Sequence, residues 1–412
     1  MDEKENLSIN TNRKEKISII RRIYKGHKNM NIKVNKKIIV YISLIFVFIL
    51  IFSIIFILFL ENKKLIQMIT ENNFKYNHIE KQTLKHFNFI NNNGENVKLP
   101  KELFHYKDDD MNGINKNKIH VSYSLDNQLI FPTLVSMVSG LENCDKEKNI
   151  LVYHLLFSHD FNTSKIYIFE SLKEDYEVKI NYYIIPHIFS YSSTWTAGTD
   201  CVYYKILLPL MFPDLERMIY IDGDTLIRKD IYEMYNYPFN DNYILGFPFY
   251  MTYVMDVHGI NATHYINGGC LLFNIDKIRK DHKDVDLLQF TLKNNSVLRF
   301  REQDSINYIF HPNIGFLPLK YGIYMIGSEK AFDNLSRSTR SPLNLTEGHE
   351  AVHDPSIVHF SCCWPKVWNN GSKNLFGDHD ICLRYKEEFY YYANKTRFYS
   401  EIYNTLYLEK IE

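Results

Sequence analysis

The chain has 412 residues, in which 48 lysines and arginines are balanced by 48 aspartates and glutamates, so its formal net charge is zero. A neutral chain has no overall field that would attract nucleic acid or strongly acidic substrates, and we expect no nucleic-acid partner. With 45% hydrophobic and 15% aromatic residues, it can bury a sizeable core in one large domain or in two.

An unbroken apolar segment, residues 38–60, lies near the N-terminus. At a rise of about 1.5 Å per residue, a helix of this length exceeds the roughly 30 Å of a bilayer core. A cleaved signal peptide has a shorter apolar core followed by a small-residue cleavage site, and neither occurs here. The sequence therefore predicts a transmembrane signal anchor at 38–60.

The flanks of the predicted anchor set its orientation. Residues 21–37 carry seven lysines or arginines and residues 61–80 carry three, and the more basic flank stays in the cytosol. We predict a single-pass type II protein of the Golgi or endoplasmic reticulum membrane, with a cytosolic tail at 1–37, a stem at 61–117 and a luminal catalytic domain at 118–412. Seven N-x-S/T sequons after the anchor support this orientation.

Six cysteines would face an oxidising lumen and could pair there, in a connectivity that the sequence does not give. No C-x-x-C pair occurs, which argues against a zinc site.

From about residue 119, short apolar runs alternate with segments of helical length. This alternation predicts an α/β domain whose mainly parallel sheet is covered on both faces. Neither G-x-G-x-x-G nor G-x-x-x-x-G-K-S/T occurs, so a dehydrogenase or kinase loses its main support. After residue 274 the chain becomes more helical, and 328–354 is predicted to be rich in loops. The predicted strands are 119–123, 150–156, 178–185, 217–221, 243–247, 269–274 and 356–360.

Asp222 and Asp224 directly follow the predicted strand 217–221. At the carboxyl end of a strand in an open α/β sheet, the backbone turns outward into the crevice where ligands bind. Two carboxylates one residue apart suit a hard divalent cation that carries a phosphate, and Gly223 keeps the turn free of side-chain bulk. A D-x-D sequence alone is a weak signal, because the same pattern is common in solvated turns.

A third metal ligand would have to come from another strand end, and His359, in the predicted strand 356–360, is the candidate. A single histidine after an apolar strand is more often structural. Nearby Lys366 could neutralise a departing phosphate, while Trp364 and Trp368 are either pocket walls or plain core residues. The neighbourhood therefore favours a ligand role for the histidine.

The order of these motifs resembles glycosyltransferase family 8, which includes glycogenin and the bacterial lipopolysaccharide galactosyl- and glucosyltransferases. The resemblance covers roughly residues 118–370, and several motifs in family order are far more specific than any one of them. It implies a single GT-A-type nucleotide-sugar-binding domain with a mainly parallel mixed sheet, placed behind the predicted transmembrane helix and stem. The matching segments are IHVSYSLD at 119–126, YKILLP at 204–209, YIDGD at 220–224, YINGGCLLFN at 265–274 and EQDSIN at 302–307, followed by His359 and Lys366.

The resemblance implies a metal and donor site. Asp222 and Asp224 match the pair that holds Mn²⁺ against the diphosphate of a UDP-sugar, and His359 matches the third metal ligand. Lys366 matches a lysine that reaches the diphosphate, although one more residue separates it from the histidine than in the bacterial enzymes. The implied substrate-binding residues are Ser124, Asp126 at the uracil edge, Lys205, Asp222, Gly268 and Lys366.

The resemblance also implies catalytic positions: Asn267 near the donor sugar, and Gln303 with Asp304 beside the reacting carbon. Sugar transfer builds positive charge at the anomeric carbon and negative charge on the leaving phosphate, so it needs a cation at one end and oxygen atoms at the other. The family retains anomeric configuration without a clear carboxylate nucleophile, so the paired carboxylates of a glycosidase are a poor template.

Three positions depart from the family pattern or add to it. Lys205 stands where many members carry arginine, so it keeps the charge but loses the bidentate fork. Leu129 replaces an aromatic residue that stacks on uracil in bacterial members. Glu302, directly before the Gln303–Asp304 pair, is placed to touch an acceptor.

We therefore expect a Mn²⁺-dependent retaining hexosyltransferase that uses a UDP-sugar donor and a glycan, glycoprotein or glycolipid acceptor in the secretory lumen. The alternative is a catalytically silent relative that binds the nucleotide sugar or acts as a luminal scaffold. The intact D-x-D pair, His359 and Gln303 argue against that alternative. The sequence specifies neither the donor sugar nor the acceptor.

Overall fold

The computed structural model describes residues 89–104, 106, 115–189, 200–248, 265–324, 326, 328–338, 343–361, 366–368 and 381–408. All of them belong to one compact unit, Lys81–Glu412. The predicted tail, the predicted anchor and much of the predicted stem lie outside the described residues, as do Trp364 and the sequons at Asn261 and Asn370.

We correct the fold prediction in one part, the transmembrane helix that it placed before the domain. Within the described ranges, no helix is long and apolar enough to cross a membrane. The α-helix Ile130–Asn143 has 14 residues, whereas a bilayer requires about 20. The segment predicted to span, 38–60, is not among the described residues. The fold that the structure supports is the α/β domain alone, and the location in the Golgi or endoplasmic reticulum stays a prediction from the sequence.

A central sheet of seven strands forms the frame of the described part of the chain. The strands of the described chain are β1 Phe89–Ile90, β2 Asn96–Val97, β3 Asn117–Leu125, β4 Asn149–Phe157, β5 Val178–Ile184, β6 Met218–Ile221, β7 Thr225–Ile227, β8 Ile244–Pro248, β9 Ile266–Phe273, β10 Ile314–Phe316 and β11 Ile357–His359. The strand order in the central sheet is β10-β8-β9-β6-β3-β4-β5, and two short pairs, β1-β2 and β7-β11, lie outside it.

The sheet is mixed and mainly parallel. Strands β3, β4, β5 and β6 pair in parallel, as do β8 and β10. Strand β9 runs antiparallel to both of its neighbours, β6 and β8. The predicted mixed, mainly parallel sheet is thus confirmed, and the parallel strands bring their carboxyl ends to one edge.

The apolar pattern of β3 explains why this strand lies at the centre of the fold. Side chains alternate between the faces of a strand, so Ile119, Val121, Tyr123 and Leu125 enter one buried cluster together with the helix Ile130–Asn143. A second buried cluster, containing Leu156, Tyr183 and Tyr220, covers the other face. Both faces are therefore dry, as a parallel sheet in an α/β protein requires.

Helices connect the strands and cover the sheet. Before the D-x-D pair, a 3₁₀ helix, Asp200–Leu207, continues into a short α-helix. The α-helices are α1 Ile130–Asn143, α2 Tyr167–Glu170, α3 Leu172–Asp175, α4 Leu208–Met211, α5 Tyr232–Tyr235, α6 Ile275–Lys280, α7 Lys283–Asn294, α8 Glu302–Phe310, α9 Glu329–Ser338, α10 Leu345–His353, α11 Ile381–Arg384, α12 Lys386–Ala393 and α13 Tyr399–Ile402, and a π-helix, Tyr403–Leu408, ends the described chain.

The segment predicted to be rich in loops, 328–354, instead contains the helices α9 and α10. Asn344 precedes α10 and its side chain accepts a hydrogen bond from the backbone N–H of Glu347 at 3.2 Å, a helix N-cap. Gly348 lets the two helices approach, because a Cβ there would lie 2.0 Å from the ring of Phe332. This prediction was wrong because it overlooked the cap.

Part of the predicted stem packs on the domain. Phe89, Val97 and Leu103 are buried in the second apolar cluster. The backbone of Ile90 exchanges two hydrogen bonds with the side chain of Gln289, at 3.1 and 2.7 Å. The boundary between stem and domain stays a prediction, although residues 89–104 already contribute to the packing of the domain.

Three of the six cysteines, Cys144, Cys201 and Cys270, have described side chains, and Cys144 and Cys270 are free thiols. The side chains of the other three, Cys362, Cys363 and Cys382, lie outside the description.

Candidate active site

The D-x-D pair occupies the turn between β6 and β7. The backbone N–H of Asp222 donates to the carbonyl of Gly269 at 2.8 Å, which fixes the start of the turn against β9. Gly223 is required in the middle, since a Cβ there would lie 2.3 Å from Oγ1 of Thr133 on α1. The two carboxylates therefore follow a buried strand in a fixed turn, and both line the cleft described below.

Strand pairing brings His359 to the same place. Strand β11 runs antiparallel to β7, with His359 opposite Thr225, and the backbone N–H of Phe360 donates to the carbonyl of Asp224 at 2.9 Å. The Nε2 atom of His359 lies 3.5 Å from Oδ2 of Asp222 and 3.2 Å from Oδ1 of Asp224. The predicted ligand set is thus assembled, with one ligand atom of each residue within 4.8 Å of the others.

A glycine makes room for the imidazole. A Cβ at Gly269 would lie 2.0 Å from Cε1 of His359 and 2.9 Å from Oδ2 of Asp222. Real Cβ atoms do not approach other atoms so closely, so a side chain at this position would displace the histidine or the carboxylate. Gly269 is therefore required for the arrangement of the metal ligands.

The three side chains fit a divalent cation. His359 is 3% exposed, and its Nε2 has no hydrogen-bond partner although Asp224 is 3.2 Å away. A buried imidazole nitrogen that is turned toward two carboxylates without bonding to them is arranged as a metal ligand rather than as a structural donor. Two carboxylate oxygens suit Mg²⁺ or Mn²⁺, and the added nitrogen favours Mn²⁺ or another transition metal over Mg²⁺ or Ca²⁺.

Lys366 adds positive charge beside the ligands. Its Nζ donates to Oδ2 of Asp224 at 2.6 Å and to the carbonyl of Phe360 at 3.1 Å. Burial alone would raise the pKa of the Asp224 carboxyl, but the adjacent Lys366 ammonium group and His359 side chain hold it well below its usual range. Asp224 is therefore a carboxylate, as a metal ligand must be.

A buried lysine links the D-x-D pair to the other side of the site. Lys205 is 1% exposed, and its Nζ donates to the Gly268 carbonyl at 2.9 Å, to Glu302 at 3.0 Å and to Asp222 at 3.5 Å. It also lies 4.4 Å from the centre of the Tyr220 ring. Burial would lower the pKa of Lys205, but the two carboxylates raise it above its ordinary value, so the side chain is a buried cation.

The amides of Asn267 and Gln303 fix the backbone between them. Oδ1 of Asn267 accepts from the backbone N–H of Gly269, and Oε1 of Gln303 accepts from that of Gly268, both at 2.8 Å. These bonds orient the Gln303 amide and leave its Nε2 buried without a hydrogen-bond partner. A donor in that state is available to a ligand hydroxyl that reaches it.

Asp304 is buried beneath the surface of the site and does not reach it. It is fully buried, and one oxygen accepts from the hydroxyl of Tyr265 while the other accepts from the backbone N–H of Phe300 at 2.8 Å. The resemblance implied a catalytic residue beside the reacting carbon, but in this structure both of its oxygens are bonded within the domain. Asp304 instead orients the start of α8, which carries Gln303.

A cleft of about 330 Å³ opens in front of the D-x-D pair. Asp126 borders it, and Oδ1 of Asp126 accepts from the backbone N–H groups of Gln128 at 2.9 Å and Leu129 at 3.2 Å. These bonds occupy one oxygen of Asp126 and hold its side chain at the mouth of the cleft. The other lining residues are Ser124, Gln128, Leu129, Cys201, Val202, Tyr220, Asp222, Gly223, Asp224 and Lys366.

A larger cavity of about 1060 Å³ lies elsewhere, between β10 and the helices α9 and α10. It is lined by Lys229 and Asp354, which follow β7 and precede β11 at the ends that point away from Asp224 and His359. We assign the site to the smaller cleft, because Asp222 and Asp224, two of the three candidate metal ligands, line it together with Lys366.

We did not predict the inward role of Glu302 or the contributions of Tyr220, Cys201 and Val202 from the sequence. Glu302 is 7% exposed and pairs with Lys205, whereas we had expected it to touch an acceptor. The hydroxyl of Tyr220 donates to Oδ1 of Asp222 at 2.8 Å. The exchange of arginine for lysine at 205 was the available signal, since a buried lysine requires a nearby carboxylate.

Comparisons with known proteins identify the family of this chain. The family model described as Glycosyl transferase family 8 matches residues 120–371. General stress protein A of Bacillus subtilis is 25% identical over 275 residues, which are 63% of this chain and 87% of that protein. A putative glycosyltransferase of Haemophilus influenzae is 22% identical over 269 residues, 62% of this chain and 75% of that protein.

Among solved structures, the galactosyltransferase LgtC in complex with donor and acceptor sugar analogs superimposes with a TM-score of 0.55. The match covers 68% of this chain and 96% of LgtC at 15% identity, so it shows a shared GT-A-type fold. The family match spans more than half of the 412 residues. This chain therefore belongs to glycosyltransferase family 8 and is a glycosyltransferase.

Proposed function

We propose that this enzyme transfers a hexose from a UDP-sugar, with Mn²⁺ bound and with retention of configuration, to a glycan, glycoprotein or glycolipid acceptor. The observation that carries the proposal is the convergence of Asp222, Asp224 and His359 beside a cleft of about 330 Å³. Nucleotide-sugar chemistry needs a divalent cation at the diphosphate and polar groups at the sugar, and the cleft offers both.

At the phosphate end, Asp222, Asp224 and His359 would hold the cation, which when bound supplies Lewis-acid neutralisation of the leaving diphosphate. Lys366 is 26% exposed next to Asp224 and lines the same cleft. Its ammonium group is thus placed to bind a phosphate oxygen and to stabilise the charge that develops there. Lys205 is buried and serves instead to fix Asp222.

At the sugar end, Asn267 and Gln303 would position the donor. The Oε1 of Gln303 is bonded to the backbone of Gly268, so the group that remains for the sugar is the N–H donor at Nε2. A hydroxyl of the donor sugar that accepts from this amide would hold the anomeric carbon over the cleft.

The carboxylates near the site support transfer rather than glycosidase chemistry. A glycosidase needs two carboxyl groups that face each other across the scissile bond. Asp222 and Asp224 instead converge on one imidazole, Glu302 is paired with Lys205, and Asp304 is fully buried. None of these four is free to act as a nucleophile, which fits retention without a carboxylate intermediate.

The test is a donor screen with the purified full chain. UDP-glucose, UDP-galactose and UDP-xylose are incubated with Mn²⁺ and acceptor sugars, and UDP release is measured for the wild type, for Asp222→Asn and for Asp276→Asn. Asp276 is an exposed carboxylate paired with Lys280 and is the matched control. We expect release with one donor, lost in the first variant and kept in the second. No release and no UDP binding with any donor would reject the proposal, and Mn²⁺-dependent UDP binding without turnover would favour the silent relative.

A further inference from the structure

A second cluster of metal-binding residue types lies at the same edge of the sheet as the D-x-D pair. His159 follows β4, His187 follows β5, and Asp200 begins the 3₁₀ helix Asp200–Leu207. Because β4 and β5 are parallel neighbours, the segments after them emerge side by side. One ligand atom of each residue lies within 4.8 Å of the others. We call these three residues the His–His–Asp cluster.

The two imidazoles converge on the carboxylate. Nδ1 of His187 lies 3.1 Å from Oδ2 of Asp200, a separation that also suits two ligands of one ion with bonds of about 2.0–2.2 Å. The rings of His159 and His187 lie 4.8 Å apart at an interplanar angle of 46°. At this angle the rings do not stack flat, which allows a nitrogen of each to face a common point.

The carboxylate is held in place by a neighbour that is not a ligand. Asp200 is 4% exposed, and its Oδ1 accepts a hydrogen bond from the hydroxyl of the buried Tyr204 at 2.7 Å. This bond fixes the carboxylate plane and leaves Oδ2 to the histidines. A ligand carboxylate oriented by a hydrogen bond from behind is the usual arrangement in protein metal sites.

We propose that the His–His–Asp cluster binds Zn²⁺. This site is separate from the cluster of Asp222, Asp224 and His359, which we call the donor site. Two imidazole nitrogens and one carboxylate oxygen are preferred zinc ligands, and three protein ligands leave a fourth position for water. Both histidines are exposed while Asp200 is buried, so an ion can enter from solvent and meet an anchored charge. The absence of a C-x-x-C pair argued against zinc on cysteine spacing alone, and this site contains no cysteine.

The site would stabilise one wall of the donor cleft. Asp200 starts the 3₁₀ helix in which Cys201 and Val202 line that cleft. Farther along the same helix, Lys205 binds Asp222 and Glu302. An ion that joins Asp200 to the ends of β4 and β5 therefore ties this helix to the sheet. We expect zinc to raise the thermal unfolding temperature of the chain, because it binds the folded state.

The test is a count of bound zinc in the full chain after metal removal and equilibration with buffered Zn²⁺. Asp222→Asn weakens the donor site and should leave the His–His–Asp cluster loaded. In that background, His159→Gln and His187→Gln should each abolish the remaining zinc and its thermal shift. His353→Gln is the matched control, because His353 is also an exposed histidine bonded to a carboxylate, Glu329, at 2.7 Å, and it should leave the zinc count unchanged.

Tyr204→Phe keeps all three ligands but removes the bond to Asp200, and should weaken zinc binding by about 10- to 100-fold. An unchanged zinc count in both ligand variants would overturn the proposal, and so would the absence of zinc from Asp222→Asn. If the histidine variants fail to fold, Co²⁺ in Asp222→Asn decides the question. Strong visible absorption of four-coordinate cobalt supports the site, and the weak bands of a six-coordinate ion, or none, reject it.

Discussion

Two three-ligand clusters at one edge of the sheet differ in how the fold builds them. In the donor site, Asp222, Asp224 and His359 stand on or next to strands whose pairing sets their separation. In the His–His–Asp cluster, the ligands lie after β4, after β5 and at the start of a helix. The first is partly to fully buried and the second has two exposed histidines. Backbone pairing thus places the ligands of the donor site before an ion binds. In the His–His–Asp cluster, the bound ion itself would hold the two exposed histidines in place.

The charges around the two clusters differ as well. Two carboxylates of the donor site are met by Lys366 and the buried Lys205, so a bound cation leaves net positive charge for a diphosphate. The His–His–Asp cluster has one carboxylate and two imidazoles, which a single zinc ion satisfies without an anionic substrate. The same edge of one sheet can therefore carry a site for chemistry and a site for stability.

The largest effect should follow the loss of one donor-site carboxylate. Asp224→Asn removes a charge that faces both His359 and Lys366, and we expect the rate of UDP release to fall on the order of 10³-fold. The zinc count of the His–His–Asp cluster should not change. The measurement is turnover with the donor found in the screen, with Asp276→Asn as the control. A rate within about threefold of the wild type would contradict the assignment of Asp224.

The next effect tests the dependence of the donor site on close backbone packing. In Gly269→Ala the new methyl would lie 2.0 Å from His359, so we expect the free energy of unfolding to fall by about 1–3 kcal/mol, together with weaker Mn²⁺ binding. Gly268→Ala is the graded control, since its methyl would come no closer than 3.2 Å, to Glu302. Denaturant unfolding and Mn²⁺ titration measure both losses, and equal losses in the two variants would refute the role given to Gly269.

A buried carboxylate with one unbonded oxygen, Asp284, gives a test of how burial changes a pKa and, through it, stability. Asp284 on α7 is 1% exposed, its Oδ1 has no hydrogen-bond partner, and burial raises its pKa to about 7 from an ordinary value of 3.8. The folded state therefore holds the proton between about pH 4 and 7 while the unfolded state releases it. Wild-type stability should fall across that window as pH rises and level off above it.

Asp284→Asn removes this titration. Relative to the wild type, the variant should gain about 2 kcal/mol between about pH 5.5 and pH 8, at ~1.4 kcal/mol per pH unit up to the folded pKa. Chemical denaturation at the two pH values measures the difference. Asp276→Asn, at an exposed carboxylate paired with Lys280 at 2.6 Å, is the control and should leave the pH dependence of stability as in the wild type. A gain that is the same at both pH values would contradict the shifted pKa.

The sequence predicted the donor site better than its surroundings, for physical reasons. The strand-end position of Asp222 and Asp224 follows from local apolar pattern alone. Their meeting with His359 depends on the register of β7 and β11, which are far apart in the chain. The strand-end position of His359 and its neighbour Lys366 made it a candidate, and the family resemblance supported the assignment. The inward position of Asp304 and the Lys205–Glu302 pair depend on how side chains are buried, which local pattern does not specify.

The sequence pattern also did not predict features that form only where several distant segments of the chain meet. The antiparallel insertion of β9 between β6 and β8 leaves no mark on the apolar periodicity of these strands. The His–His–Asp cluster joins three separate segments, each with one unremarkable polar residue. The helices α9 and α10 are a different case, because a local signal was present there and was overlooked: asparagine with glutamate three residues later marks a helix start.

The smallest expected effect tests the N-cap of α10. Asn344→Ala removes the bond to the backbone N–H of Glu347, and we expect the free energy of unfolding to fall by about 1 kcal/mol. Helix α10 borders the large cavity and not the donor cleft, so UDP release and zinc count should stay at wild-type values. Asn344→Asp restores an acceptor and should recover most of the loss. If alanine at this position reduced turnover as strongly as a ligand substitution, general destabilisation would explain the donor-site variants, and the separation between stability and chemistry drawn above would fail.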